Sequence, residues 1–156
     1  MNWKEKLLAA LGAGAVALAV PLVAQYEGTV LRSYRDPAGI VTACTGHTDP
    51  ELTMGQSFTR EQCEQMLYQD LARHADALRC VTVPLTDGQR AALVSFAFNV
   101  GDEAFCRSTL VRKANSGDME GACAELSRWT YAGGKQLPGL VRRRAAERQL
   151  CEEGLV

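Results

Sequence analysis

Eighteen consecutive residues, from Leu7 to Ala24, carry no charged or polar side chain. A helix of this length is at the lower edge of what crosses a bilayer. Lys4 and Lys6 precede the run, and basic residues on that side favour a cytoplasmic N-terminus with the following part exported. The sequence therefore predicts an N-terminal apolar helix that either a membrane or a protein core must cover.

Three interpretations of this segment are open. Ala17-Leu18-Ala19 fits the small-x-small site of a cleaved signal peptide, but cleavage after Ala19 would leave only seven residues before Glu27. The segment could instead be a buried core helix of a soluble protein. We favour an uncleaved anchor, and a weak one, because half of the run is Ala or Gly, which add little to membrane insertion.

Proline and glycine predict how this segment bends. Pro21 is unfavourable inside a helix and is better placed at the start of one, so a helix from Pro21 to Glu27 is expected. Outside a bilayer, the apolar run should fold as helix on the protein surface, bending at Gly12-Gly14 or at Pro21.

Composition limits the remaining possibilities. The chain has 156 residues, enough for one domain, and a net charge of −1, which predicts no nucleic-acid partner. Its six cysteines are an even number, which in an exported protein favours disulfides. No CxxC or HExxH pattern is present, so we expect neither a metal nor a cofactor.

Turn and cap signals predict the elements that follow. Residues 29–48 should form short strands and turns. Capping boxes begin at Thr59 and Thr86, and the helix after Thr59 should link a sheet lobe to a helical lobe. Pro138 should start the last helix, which runs to about Glu153.

Glu27 and Asp36 are carboxylates nine positions apart, and Thr42 follows across a glycine-containing turn. Glycoside hydrolysis needs one carboxylic acid to protonate the leaving oxygen and a second carboxylate to position water or attack the sugar. Apolar surroundings raise the pKa of such an acid, and the stretch from Val20 to Tyr26 could supply part of them. By spacing alone, two solvated surface side chains are the alternative; in a catalytic pair Asp36 would orient the water, with Thr42 as its hydrogen-bonding partner.

Further motifs occur in a fixed order along most of the chain. They are Tyr26-Glu27-Gly28, Tyr34-Arg35-Asp36, Gly46-His47-Thr48, Ser95 to Gly101, Ser108 to Lys113, Asn115 to Asp118, Arg128-Trp129, Ala132 to Lys135, and Leu137 to Arg144 with Glu147. Together they resemble the phage-type lysozymes of glycoside hydrolase family 24, over nearly everything from Tyr26 to Cys151.

The resemblance implies an α+β, mostly helical fold. A small antiparallel sheet lobe and a helical lobe would be joined by a long helix and preceded by the N-terminal apolar helix. It implies hydrolysis of the β-1,4 bond between N-acetylmuramic acid and N-acetylglucosamine in peptidoglycan, with inversion at the anomeric carbon. Glu27 would be the general acid, and Asp36 and Thr42 would complete the catalytic set. A lytic transglycosylase and a non-catalytic, membrane-tethered wall-binding protein are the alternatives.

The apolar run itself resembles the anchor of signal-anchor-release endolysins of tailed phages. This divides the chain into a releasable signal-anchor, residues 1–25, and a catalytic domain, residues 26–156. An inactive form would be held in the host inner membrane by residues 7–24, and release to the periplasm would give an active monomer that lyses the host. No cysteine precedes Cys44 and position 36 is an aspartate, which excludes activation by disulfide exchange from the anchor.

Several other polar side chains have predicted structural or substrate-binding roles. Asn99, Ser108 and Thr109 are expected where loops of the helical lobe line the cleft, as candidate substrate-binding residues. His47 is interpreted as structural, with Asp70 as its partner. Arg142-Arg143-Arg144 is interpreted as a solvated helix face, with contact to an anionic wall polymer as the alternative.

Six cysteines allow 15 connectivities. Cys44 and Cys63 are near in sequence, Cys123 and Cys151 lie on apolar helix faces near the C-terminus, and Cys80 and Cys106 remain. We therefore expect the pairs Cys44–Cys63, Cys80–Cys106 and Cys123–Cys151.

Overall fold

The computed structural model describes residues 1–155. Its helices are α1 Trp3–Leu11, α2 Ala13–Glu27, α3 Arg60–Ala75, α4 Asp87–Val100, α5 Asp102–Arg107, α6 Thr109–Asn115, α7 Met119–Glu125 and α8 Pro138–Glu153. Its strands are β1 Val30–Arg35, β2 Val41–Cys44, β3 His47–Thr48, β4 Tyr131–Ala132 and β5 Lys135–Gln136. The predicted α+β, mostly helical class is confirmed.

The first three strands form one antiparallel sheet in the order β1-β2-β3. Tyr34 pairs with Thr42, and Ala43 pairs with His47. Helix α3 packs against β2 and β3 and continues into the helical lobe, where it packs against α1 and α4. It begins at the predicted cap, where the Thr59 hydroxyl accepts a hydrogen bond from the Gln62 amide. The predicted link between two lobes is therefore present.

The N-terminal segment is two helices that meet at Gly12 with a bend of 115°. Gly12 has φ +85°, a backbone conformation that is open to glycine and strained for other residues. The bend is thus at one of the two places expected. The prediction that a new helix begins at Pro21 is wrong, because α2 runs from Ala13 to Glu27 with Pro21 inside it. Pro21 faces solvent, and packing of the opposite face of α2 against α4 offsets the hydrogen bond that proline removes.

The apolar side of these two helices belongs to the core. Leu7, Ala15, Ala19 and Val23 are fully buried, with α1 on α3 and α2 on α4. The expected helix on the protein surface is present, with Ala9, Ala17 and Pro21 exposed on its outer side, while its apolar face completes the helical lobe. The predicted division after residue 25 falls inside α2.

Two helices close the other side of this lobe. Helix α4 packs between α2 and α8, and α8 has the predicted bounds, Pro138–Glu153. Between α7 and α8 lies a two-stranded antiparallel hairpin, β4-β5. Its turn is Gly133-Gly134, with both glycines at positive φ.

The structure also contains three disulfides, which are the three pairs expected from the sequence: Cys44–Cys63, Cys80–Cys106 and Cys123–Cys151. The first joins β2 to α3, and the last joins α7 to α8. Each pair therefore ties two elements that also pack together.

Candidate active site

Glu27 is the last residue of α2, as predicted. Gly28 ends the helix with φ +69°, and its amide donates to the Ala24 carbonyl at 3.0 Å. The Glu27 side chain is 22% exposed, and its Oε1 lies 2.5 Å from Nη1 of Arg143. The helix end therefore delivers a carboxyl group that is open to solvent on one side and held by an arginine on the other.

The second oxygen of Glu27 lies against Gly46. A Cβ atom at position 46 would be 3.1 Å from Glu27 Oε2 and 3.8 Å from the Phe98 ring. Gly46 also has φ +71°, so both space and backbone conformation call for glycine in this turn between β2 and β3. The absence of a side chain at Gly46 thus lets the turn between β2 and β3 lie directly against the Glu27 carboxyl group.

Asp36 follows β1 and organises the turn to β2. Its Oδ1 accepts hydrogen bonds from the amides of Ala38 and Ile40, each at 2.9 Å. Among residues 1–155, no side chain or amide donates to the other oxygen, Oδ2. That oxygen is therefore available to a water molecule, while the first one fixes the carboxylate in place.

The predicted hydrogen bond between Thr42 and Asp36 is wrong. Thr42 is buried, and its Oγ1 donates to the Ile40 carbonyl at 3.0 Å. Ile40 in turn donates its amide to Asp36. Thr42 therefore supports the same turn as Asp36, but through the backbone of Ile40, because the turn's own amides, those of Ala38 and Ile40, occupy the Asp36 carboxylate.

The interpretation of the arginine run as a solvated face holds only for Arg142. Arg143 and Arg144 are 3% and 1% exposed, and Glu147 is fully buried between them. Arg143 Nε lies 3.4 Å from Glu147 Oε2, and Arg144 Nη1 contacts Glu147 Oε1. Arg143 therefore contacts two carboxyl groups, that of Glu147 through Nε and that of Glu27 through Nη1.

Hydrogen bonds fix the Arg143 guanidinium in one orientation. Its Nη2 donates to the Ser95 carbonyl at 3.1 Å, and Ser95 Oγ donates to Glu147 Oε2 at 2.6 Å. Helix α4 therefore positions the arginine that positions Glu27. The apolar surroundings expected for the Glu27 carboxyl are not what its oxygens contact, since Arg143 occupies that place.

Arg144 has a neighbouring but different environment. Its Nε donates to the Trp129 carbonyl at 2.9 Å, and its Nη2 donates to Asn99 Oδ1. Burial lowers the pKa of the Arg144 guanidinium, and the nearby Glu147 carboxylate opposes that shift. The group remains a cation that orients Asn99 at the cleft.

A cleft of about 540 Å³ opens beside Glu27. It is lined by Gln25, Tyr26, Glu27, Asn99, Leu137, Gly139, Leu140, Arg142 and Arg143. Asn99 is thus brought to Glu27, as the sequence suggested. The predicted site residues Asp36, Thr42, Ser108 and Thr109 are not in this lining. The Ser108 hydroxyl is buried and caps α6 by accepting the Val111 amide at 3.2 Å, and Thr109 Oγ1 accepts from Arg112 at 2.8 Å.

His47 pairs with Asp70, which confirms the structural role predicted for it. His47 Nδ1 lies 2.8 Å from Asp70 Oδ2. The hydrogen bond to Asp70 raises the pKa of His47, against the opposing effect of burial. Within residues 1–155, no three His, Cys, Asp or Glu side chains come together as a metal site.

Sequence reasoning missed Arg143 and Gly46. A local signal existed for the first, because Arg143 and Arg144 stand four and three positions before Glu147, the spacing at which side chains meet on one helix face. An acid in the middle of an arginine-rich helix indicates an ion-pair cluster rather than a uniformly solvated surface. No local pattern predicted the contact between Arg143 and Glu27, because these residues are 116 positions apart in the sequence.

A helix-end carboxyl group open to a cleft and a second carboxylate on the turn of a small sheet are the residue types that glycoside hydrolysis uses. The profile of the phage lysozyme family matches residues 24–147, and the chain belongs to that family. It is 41% identical over 155 residues to the SAR-endolysin of Enterobacteria phage PA-2, covering 95% of this chain and 94% of that protein.

Solved structures show the same fold. The muramidase domain of SpmX from Asticaccaulis excentricus has a TM-score of 0.78 and 34% identity, covering 89% of this chain and 94% of that one. The active form of the P1 phage endolysin Lyz has a TM-score of 0.79 and 25% identity, covering 100% of this chain and 96% of that one.

Proposed function

We propose that the protein is an endolysin that hydrolyses the β-1,4 bond between N-acetylmuramic acid and N-acetylglucosamine in peptidoglycan. The observation that carries this proposal is the Glu27 carboxyl group, which opens to the cleft while Arg143 holds its Oε1 at 2.5 Å. Family membership supports it independently.

In this mechanism Glu27 donates its proton to the glycosidic oxygen as the bond to the anomeric carbon breaks. Asp36, through its free Oδ2, accepts a proton from a water molecule that attacks the opposite face of the sugar. Water becomes the new hydroxyl at the anomeric carbon, and the configuration there inverts. Arg143 and Gly46 position the acid, and Ile40 and Thr42 support the base.

Asp36 favours hydrolysis over the lytic transglycosylase alternative. A transglycosylase needs the acid but can dispense with a carboxylate that positions water. Here two amide hydrogen bonds hold Asp36 in one orientation and leave Oδ2 free, which serves a water-activating base. Asn99 at the cleft is a candidate substrate contact, whereas the internal bonds of Ser108 and Thr109 give them a weaker claim.

Glu27→Gln tests the assignment, because it removes the transferable proton with little change of shape. We expect murein-clearing activity in a zymogram to fall by several orders of magnitude. Asp36→Asn should also be severe, whereas Arg142→Gln, on the exposed side of α8, should be mild. New reducing ends in the product would identify a hydrolase, and 1,6-anhydro ends a transglycosylase. Near wild-type clearing by Glu27→Gln would refute the catalytic role, and binding without turnover would identify a wall-binding protein.

Residues 1–25 are proposed to tether the exported protein, in an inactive form, to the host inner membrane. Within residues 1–155 no single helix is long and apolar enough to cross a bilayer, whereas α1 and α2 together pass that test by length and composition. A membrane-spanning helix over residues 7–24 would require the bend at Gly12 to straighten. Leu22 and Val23 would then lie in lipid, yet in the folded enzyme they are buried against the domain. The same residues cannot occupy both places.

Release from the membrane would therefore complete the enzyme, because α2 carries Glu27 at its end. The N-terminus would be cytoplasmic in the tethered form, and the active form would be a periplasmic monomer. Fractionation of expressing cells tests this scheme. The intact chain should be in the membrane fraction while the membrane is energised and in the soluble periplasmic fraction after the potential collapses. A periplasmic enzyme whose first residue is Val20 would instead indicate signal-peptide cleavage.

A further inference from the structure

Two charged residues of α4 meet the bend between α1 and α2. Arg90 Nε donates to the Leu11 carbonyl at 3.0 Å, and Nη1 donates to the Leu85 carbonyl at 2.8 Å. Its Nη2 pairs with the Asp87 carboxylate. The Asp87 carboxylate lies against Gly14, where an added Cβ atom would collide with Oδ2. The ion pair therefore touches the last residue of α1 and the first turn of α2.

The two charges match the helix ends that they face. A helix carries partial negative charge at its C-terminus and partial positive charge at its N-terminus. Arg90 faces the C-terminal end of α1, which has no basic residue in its last turn. Asp87 faces the N-terminal end of α2, which has neither an acidic residue in its first turn nor a side-chain cap. Arg90 and Asp87 of α4 thus supply the charges that these two helix ends lack in their own sequence.

The proposed function gives a physical reason why the bend between α1 and α2 carries no charged residue of its own. Charged residues at positions 11–14 would make insertion of an 18-residue apolar run into a bilayer unfavourable. A segment that must cross a membrane and later fold as two helices cannot carry its own charged caps at the bend. The soluble domain can supply them.

The contacts also depend on the bend. In a continuous α-helix the Leu11 carbonyl would accept the amide four residues on. The break at Gly12 frees that carbonyl, and Arg90 takes it. Gly14 matters for the same reason, because any side chain there would displace Asp87 from the helix end.

We propose that the Asp87–Arg90 pair is a docking site for the released N-terminal segment, and that it binds the bent form of residues 11–14. This inference rests on the membrane release proposed above. The pair is a positioning device, since Gly14 is about 20 Å from Glu27 along α2. By holding one end of α2 it holds the helix whose other end carries the acid.

A double-mutant cycle between Gly14 and Asp87 tests the contact in the purified full-length enzyme. Gly14→Ala should lower the Tm by about 3 °C in the wild-type background, because the new methyl group expels the carboxylate. In an Asp87→Ala background the same change should leave the Tm unchanged or raise it, because alanine favours helix over glycine. Equal shifts in both backgrounds would overturn the docking site.

The rate at which the protein passes from the membrane to the periplasm tests whether the Asp87–Arg90 pair takes part in release. After collapse of the membrane potential, Arg90→Gln should move to the soluble fraction about tenfold more slowly than wild type. Arg107→Gln is the matched control, because Arg107 and Glu103 form an exposed ion pair on α5. Release of Arg90→Gln at the wild-type rate would overturn the docking site alone. A wild-type chain that never enters the membrane fraction would overturn the tethering, and the Gly14–Asp87 cycle would still decide the contact.

Discussion

Arg143 Nη1 lies 2.5 Å from Glu27 Oε1, and this contact joins the last helix to the end of α2 across 116 positions of sequence. The arginine is almost fully buried, whereas the acid is partly exposed. The geometry of the acid therefore depends on a side chain whose own position is set by Ser95 and Glu147. Changes in α4 or α8 can act on catalysis without touching the substrate.

Arg143→Lys should lower the catalytic rate about ten- to hundredfold. A lysine keeps the charge but cannot contact Glu27, Ser95 and Glu147 together, since it lacks the planar fork of arginine. A small displacement of a catalytic group has an effect of this size. The measurement is turnover on soluble murein fragments, where kcat should fall more than KM rises. If Arg143→Lys retains as much activity as Arg107→Gln, which changes an exposed ion pair on α5, Arg143 does not position the acid.

The Cys44–Cys63 disulfide should matter for activity more than Cys123–Cys151. Cys44 stands at the end of β2 with φ +56°, two positions from both Thr42 and Gly46, so its bond to α3 holds the turn beside Glu27. Cys123–Cys151 joins α7 to α8 away from that turn. Replacing either pair with alanine should cost about 3 kcal/mol of unfolding free energy.

At a temperature where both variants are folded, only the Cys44→Ala/Cys63→Ala variant should lose turnover. Equal turnover would show that the sheet turn does not need this bond. Mass spectrometry of exported, unreduced wild-type protein should find the three pairs and no free thiol. Three or more alkylatable cysteines in the active enzyme would contradict the pairing.

The His47–Asp70 pair should make stability depend on pH. The pKa of His47 in the folded state is raised above its usual 6.5 by the hydrogen bond to Asp70. The pair therefore stabilises the fold fully below pH 6.5, and the contribution is lost as the pH rises through the raised pKa. Asp70→Asn should lower the unfolding free energy by roughly 1.5–3 kcal/mol at the acidic end and by less at alkaline pH. Denaturant titrations across this range measure the difference, and Glu103→Gln is a control that should show no such trend.

Strengthening the anchor without disturbing the fold should delay lysis. Ala9 and Ala17 are exposed in the folded protein, so Ala9→Leu with Ala17→Leu adds apolar surface to the tethered form and leaves the core unchanged. Gly12 and Gly14 are unsuitable for this purpose, because they lie against Arg90 and Asp87. The double variant should stay longer in the membrane fraction, lyse cells late and show normal turnover once purified. Lysis on schedule by protein still in the membrane would show that release is not the switch.

Local patterns in the sequence determined both capping boxes, the bounds of α8 and the end of α2 at Glu27, whereas the fold class came from the family resemblance. Caps, turns and apolar periodicity act over a few residues, so one sequence contains them completely. Ordered motifs also indicated the family. The cysteine pairs followed from elements that are near in sequence or share apolar faces.

Tertiary packing decided what those patterns left open. Packing kept α2 helical past Pro21, and it buried one face of the apolar run against α3 and α4. It buried Arg143 and Arg144 around Glu147, and it directed Thr42 to Ile40 instead of Asp36. Each of these outcomes depends on which surfaces meet across long stretches of chain. A charged or apolar residue has no fixed environment until those surfaces are together.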